Sequence, residues 1–262
     1  MEYLYPHFKR SFLVEGAKFT AGPRPGEPMP DFDLATLAGP RLRKRDLAGK
    51  PFLLGFGSFT CPMTGSAGPA LKRLHDELGD AIRFITLYVR EAHPGTLFPQ
   101  PESLKEKVAH ARAFRQREGV SWTIAADDLE GTLHRALTPT PNSAYLVDAK
   151  GIVQGRILWA NDVASLRRGL LALAAGRAPG EMTSKAVAML RGLGRIDRVL
   201  RQSGGYALTD FRRQVPPMYA LARLAAAFKP LPALGRGIAA VATALGAVAL
   251  AVLGTRALLR AL

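Results

Sequence analysis

The chain has one cysteine in 262 residues, Cys61. A lone thiol excludes an internal disulfide, and with it the class of small secreted domains stapled by disulfides. It also excludes a zinc site built on cysteine pairs. The five histidines (His7, His75, His93, His110 and His134) show no HExxH or comparable ligand spacing, so no metal centre is expected. Acidic residues are scarce towards the C-terminus. Residues 181–262 hold twelve Lys/Arg against Glu181, Asp197 and Asp210, and the whole chain carries a formal net charge of +15. Such a tail suits an anionic partner, and lipid head groups fit better than nucleic acid. A nucleic-acid role is disfavoured because no aromatic-interleaved basic groove or known motif is present.

Long uncharged runs are equally rare, with one exception. Gly237 to Thr255 contains nineteen uncharged residues between Arg236 and Arg256. As a helix rising ~1.5 Å per residue it would extend roughly 28 Å, close to a bilayer's hydrocarbon thickness. The run predicts a single-pass C-terminal membrane anchor. Arg223, Lys229 and Arg236 precede it and set that side, with the main domain, in the cytoplasm. The opening MEYLYPHFKRSFLVEGAKF has Glu2 where a secretory signal would be basic, which agrees. The alternative is a cytoplasmic protein whose Ala-rich helix packs on the body or on a second subunit. Ala242 and Gly246 have the spacing of small residues that pair helices.

The rest of the chain alternates strand and helix patterns. DFDLATL (31–37) reads as a short strand and PFLLGFG (51–57) as a buried one. Ala67, Ala70, Leu71, Leu74 and Leu78 then fall on one helical face between Pro62 and Gly79. AIRFITLYV (81–89) is a second buried strand. Ser103 to Glu118 is a helix, with Ser103 and Glu106 spaced as a capping box. Trp122–Ala126 is a strand, Leu129–Ala136 a short helix, and 143–148 and 152–159 form a hairpin about AKG. Asn161 or Asp162 caps a last helix ending near Ala175. The order predicts an α/β domain with a mixed central sheet flanked by helices. Residues 1–19 are expected as a lead-in, 20–178 as the domain, 179–236 as a basic helical linker region, and 237–262 as the anchor. Within the linker, Val187, Leu190, Leu193 and Ile196 form one helix face.

Cys61 follows the first buried strand, at the sheet edge where ligands sit in such folds. There its sulfur would meet the unpaired N–H groups at the start of a helix, which favour a thiolate. Pro62 suits the first helical position. Ser58 and Thr60 can add hydroxyl donors. Glu91 and His93 emerge at the end of the next strand. A histidine near neutral pKa can move protons and a carboxylate can orient it. Pro141 precedes another strand near the same edge.

GSFTCP followed by LYVREAHP resembles the iodothyronine deiodinase family, especially its bacterial cysteine-containing relatives among the thioredoxin-fold redoxins. QPESLKEKVAHARAF, IAADDLEGTLHRAL and PNSAYLVDAKGIV continue the similarity, which spans about residues 22–175. The resemblance implies a thioredoxin-like fold. It puts Cys61 at the selenocysteine position of the animal enzymes, and Glu91 and His93 in the group that assists proton transfer. It puts Pro141 at the proline that borders the substrate groove in cis, with Ser58 and Thr60 beside it. Gly95, Thr96 and Leu97 stand where an acidic residue and a Trp usually follow, so the reactive-site layout is what is shared. The resemblance also implies a homodimer.

The functional expectation is a thiol-dependent oxidoreductase that acts on a small molecule. No bound cofactor is expected. An external thiol, glutathione or thioredoxin, would regenerate Cys61, because Thr64 stands where a C-x-x-C motif has its second cysteine. A one-cysteine peroxiredoxin-like peroxidase is the alternative, weakened by Leu54 and Ser58 at the Pro and Thr of P-x-x-x-T-x-x-C. A membrane-bound thioredoxin-fold adaptor without catalysis is the third reading.

Overall fold

The structure, a computed structural model, describes residues 3–15, 18–138, 140, 142–184 and 186–261. Its centre is PFLLGFG. Phe52–Gly57 forms strand β3, a run too apolar for any solvated face and buried on both sides. Arg83–Tyr88 (β4) lies parallel to it, pairing Gly57 with Tyr88 at the carboxyl ends. Thr123–Ala126 (β5) is parallel to β4 in turn. Ala144–Val147 (β6) and Val153–Ile157 (β7) are the expected hairpin, with β6 antiparallel to β3. Asp33–Thr36 (β1) and Leu42–Arg43 (β2) extend the β5 edge. Gly180–Met182 (β8) extends the other edge, so the sheet runs past residue 178. Among the described residues eight strands stand in the order β2-β1-β5-β4-β3-β6-β7-β8, the central sheet that strand-helix alternation predicts, made mixed by the hairpin as expected.

The helices follow the local signals. After α1 (Ser11–Glu15), helix α2 (Pro62–Leu78) begins with Cys61 as N-cap and Pro62 at the first position. Leu104–Glu118 (α3) is capped by Ser103, whose hydroxyl accepts the Glu106 N–H at 3.2 Å. The Glu106 carboxylate reaches one residue further back, to the Glu102 N–H, so the reciprocal half of the box is displaced by one residue. Gly119 closes α3 at φ 64°, a left-handed turn that favours glycine. Thr132–Leu137 (α4) and Val163–Ala174 (α5) complete the layers, α5 capped by Asp162. One hydrophobic core lies under α2, α3 and α5 and contains Phe59, Leu74, Phe114 and Leu166. The other face buries Met29, Leu54, Phe56, Leu87 and Tyr145.

Residues 186–261 form four more helices: α6 (Ala186–Ser203), α7 (Gly205–Gln214), α8 (Pro216–Ala227) and α9 (Ala233–Ala261). They are not a spacer. Helix α6 packs along α2, with Arg195 donating to the Gly65 carbonyl at 3.1 Å and Asn161 to that of Ala188 at 2.8 Å. A third core joins Phe8 of the N-terminal segment to Leu193, Ile196, Phe211 and Ala222. Helix α9 starts four residues before the expected span. Arg236 therefore lies in its first turn and folds back to donate to Leu231 O at 2.7 Å. Its root is seated on α6: a Cβ on Gly237 would overlap the Leu190 carbonyl, and one on Gly194 the carbonyl of Ala233. Beyond Val241 the helix leaves the body with Leu245, Val248, Leu250 and Leu253 exposed. Ala233–Leu253 is a candidate membrane span by length and a mean hydropathy of 2.0.

Candidate active site

The parallel pairing of β3 and β4 brings FTCP and REAHP to one edge of the sheet. Thr60 joins them. Its N–H and hydroxyl both donate to Glu91 Oε2, at 3.0 and 2.7 Å, and its Oγ1 accepts the His93 N–H at 3.1 Å. Glu91 is fully buried. Its other oxygen accepts the Tyr88 hydroxyl and lies 3.3 Å from His110 Nδ1. The Gln100 side chain spans the Glu91 backbone, accepting from its N–H at 2.9 Å and donating to its carbonyl at 2.8 Å. Each carboxylate oxygen has a donor, as burial demands.

This corrects one expectation from the sequence. Glu91 is bonded to Thr60 and Tyr88 and does not orient the His93 ring. The next side chain but one along an irregular loop has turned elsewhere. His93 lies between Phe8 and Phe211, with ring centroids 4.3 and 5.5 Å away. Burial pushes its pKa down to about 3, and among the described residues its buried Nδ1 has no hydrogen-bond partner. The imidazole is therefore neutral at rest.

Cys61 is 2 % exposed. The Thr64 hydroxyl and the first-turn N–H groups of Thr64 and Met63 lie against its sulfur and favour the thiolate, but burial outweighs them and pushes the thiol up. The helix start thus acts as expected without producing a thiolate in the closed site. The hydroxyl that reaches the sulfur belongs to Thr64. That side chain also accepts from Asn142 Nδ2 at 3.3 Å. Ser58 and Thr60 instead point inward. The Ser58 hydroxyl accepts the Ala92 N–H at 3.3 Å, and neither residue lines the cavity described next. Pro141 lies outside the described residues.

Cys61 and His93 open into a cavity of about 680 Å³, within the usual range of small-molecule sites. Its floor is the sheet edge, and its other walls come from residues the sequence had assigned elsewhere. Tyr5, Phe8 and Phe12 of the N-terminal segment form one side; Leu193 and Ile196 of α6 and Phe211 of α7 form another. The segment is held in place by Tyr5 donating to Ala92 O at 3.0 Å and by Tyr3 bonded to His134 Nδ1 at 3.0 Å. Arg90 stacks its guanidinium over both tyrosine rings, 4.9 and 5.0 Å from their centroids. Two signals could have disclosed these walls: the aromatic spacing of Tyr3, Tyr5, Phe8 and Phe12, and the α6 stripe. Among the described residues no group of three or more His, Cys, Asp and Glu side chains is placed to hold a metal ion.

A mixed sheet with a lone cysteine heading the helix after its central strand defines a thioredoxin-like fold. The uncharacterized conserved protein from Geobacillus kaustophilus has the same fold at a TM-score of 0.50, with 16% identity, covering 63% of this chain and 90% of that one. The thioredoxin-family thiol:disulfide interchange protein from Chlorobium tepidum TLS superposes at 0.46, with 19% identity over 59% of this chain and 99% of its own. In sequence, the chain is similar to the thioredoxin-like protein YneN of Bacillus subtilis strain 168. The two are 26% identical over 138 residues, which is 53% of this chain and 74% of YneN. No protein-family model matches the sequence.

Proposed function

We propose that this protein is a membrane-anchored thiol oxidoreductase in which Cys61 is the nucleophile, His93 moves the proton and Glu91 positions the turn between them. One observation carries the reading: the single cysteine heads α2 at the sheet edge and shares an apolar cavity with the neutral imidazole of His93. The similarity to YneN and the thioredoxin-like fold support it.

At rest both groups are neutral. When an electrophilic substrate R–X enters, the Cys61 sulfur attacks X and the thiol proton passes to His93. The S–X bond forms as R–X breaks, and the electron pair stays on R. The His93 imidazolium then protonates R to give R–H. An external thiol attacks the sulfur of Cys61, forming a mixed disulfide and releasing HX. A second external thiol frees Cys61 and leaves as its own disulfide. Two electrons thus pass from two thiols to the substrate, and no second cysteine is needed in the chain. With X as iodine on an aromatic ring, this is the dehalogenation suggested by the GSFTCP and EAHP segments. Glutathione or thioredoxin would serve as the reductant.

The experiment is a panel of iodinated phenols, alkyl peroxides and mixed disulfides, assayed with glutathione or thioredoxin on wild type, Cys61→Ser and His93→Ala. Turnover of iodinated phenols is expected to fall at least 100-fold in Cys61→Ser and 10-fold or more in His93→Ala. Activity that survives Cys61→Ser overturns the nucleophile. Faster turnover of peroxides than of iodophenols replaces dehalogenation with peroxidase chemistry at the same sulfur.

A further inference from the structure

The cavity is walled on the side away from the sheet by the helices that carry the anchor. Leu190 of α6 lines the cavity, while its carbonyl abuts Gly237 of α9. Leu193 lines it too, and the next residue, Gly194, closes on Ala233 at the start of α9. One helix, α6, therefore has the cavity on one face and the anchor root on the other. Val215, Met218 and Leu221, from the α7–α8 junction and α8, complete an apolar wall.

The N-terminal segment is tied across to α7, His7 to Asp210 at 2.8 Å and the Arg10 N–H to Gln214 at 3.2 Å. Of the two arginines at the cavity, Arg10 is exposed, while Arg90 donates to Tyr3 O at 3.0 Å and stacks on two tyrosines. His93, 7 % exposed, lines this cavity together with Cys61, and among the described residues its Nδ1 has no hydrogen-bond partner. An apolar cavity with an unsatisfied imidazole nitrogen in its lining fits a molecule of matching polarity.

We propose that the cavity takes a lipophilic small molecule drawn from the bilayer, with its apolar body against α6–α8 and a single hydrogen-bonding head at His93. The proposal rests on the reading of Cys61 as the reactive group and of α9 as an anchor. It adds the class of ligand and the direction from which it comes.

The lone thiol makes the test direct. Full-length protein in phosphatidylcholine nanodiscs is alkylated with N-methylmaleimide and with N-octylmaleimide. Each rate is divided by that of a reference thiol, Arg212→Cys in a Cys61→Ser background, exposed on α7. The ratio corrects for enrichment of the octyl reagent at the membrane. It is expected to be at least tenfold larger for the octyl reagent. A ratio that is flat or falls with chain length overturns the ligand class. 1-Decanol is then compared with decane, at equal mole fraction in the bilayer, as a protectant against N-methylmaleimide. The alcohol is expected to protect at least fivefold better in wild type and no better in His93→Phe. Equal protection in wild type overturns the head contact. Alkylation needs no turnover, so these outcomes are independent of the Cys61→Ser activity assay that decides the oxidoreductase reading.

Discussion

Thr60 donates both its backbone N–H and its hydroxyl to one oxygen of Glu91, at 3.0 and 2.7 Å. The residue before the cysteine is thereby fastened to the residue two before the histidine. The same hydroxyl oxygen accepts the His93 N–H, so the FTCP turn and the EAH loop hold one another in place. The sheet brings the two loops to the same edge, and this bond fixes their relative height. Glu91 acts through Thr60, which makes it a positioning residue rather than a group that touches substrate.

Thr60→Val tests that arrangement. The substitution keeps the side-chain shape and removes the hydroxyl, leaving Glu91 Oε2 with one donor and the His93 N–H with none. Stability is expected to fall by about 1–3 kcal/mol, the usual consequence of an unsatisfied buried group. Turnover is expected to fall about tenfold with KM nearly unchanged, because Thr60 does not line the cavity. Urea unfolding and steady-state kinetics measure the two effects. A purely structural role would lower stability without moving kcat.

Acid should weaken the fold through His93. Its folded pKa is pushed down to about 3 by burial, from an unfolded value of 6.5. Between these values the unfolded chain binds a proton that the folded one refuses. The stability due to the neutral imidazole is therefore complete above pH 6.5 and is lost as pH falls towards 3. The loss is about 1.4 kcal/mol for each pH unit in that window. His134 is pushed to about 3 as well, again by burial first, and adds the same dependence. His93→Phe removes one of the two. Unfolding midpoints at pH 4, 5, 6 and 7 are expected to show a shallower decline in that variant, by about 1.4 kcal/mol per unit. An unchanged slope would mean that His93 is solvated in the native state.

The sequence discloses the sheet, the Cys61–Pro62 helix start and the meeting of FTCP with EAHP, because each depends on local pattern. Apolar runs name β3 and β4, and Pro62 names the first turn of α2. Glu91's partners were not legible in the same way. Tyr88 lies three residues before it on β4, and His110 comes from α3, which only the folded packing brings across. The roof was half legible. Leu190, Leu193 and Ile196 stand out as a stripe, but a stripe does not name its partner, and the surrounding arginines draw attention to lipid. Those arginines serve partly inside: Arg195 donates to Gly65 O and lies 4.0 Å from Glu118. Nor does periodicity show that the first dozen residues return to the site, since Tyr5 and Phe8 belong to no regular element.

Helix α9 divides at Val241. Before it, Gly237 and Ala240 are buried in the body; after it, Leu245, Val248 and Leu250 face outward. Removing residues 242–262 is therefore expected to release the protein from membranes without loosening α6. Fractionation should find the full chain in the membrane pellet and the shortened one in the supernatant, with thermal midpoints within a few degrees of each other. Full-length protein recovered in the soluble fraction without detergent would count against the anchor.

The Thr64 hydroxyl gives the clearest handle on the sulfur itself. It lies on the first turn of α2 and favours the Cys61 thiolate, against a burial that disfavours it. Thr64→Val keeps the volume and removes the hydroxyl, so burial acts with less opposition and the thiol titrates higher still. A hydrogen bond of about 0.5–1.5 kcal/mol corresponds to a change of about 2- to 12-fold in thiolate population. Iodoacetamide alkylation at pH 7.5 is expected to slow by that factor. Its pH–rate curve should move to higher pH, while the rate at full ionisation stays close to that of wild type. The sole cysteine makes the alkylation curve unambiguous, since no other thiol titrates. A curve that shifts downward, or does not shift, would show that the sulfur meets solvent or another donor in the native protein. Asn142 lies on the same hydroxyl. Asn142→Ala should shift the curve less than Thr64→Val, because it leaves in place the hydroxyl that favours the thiolate.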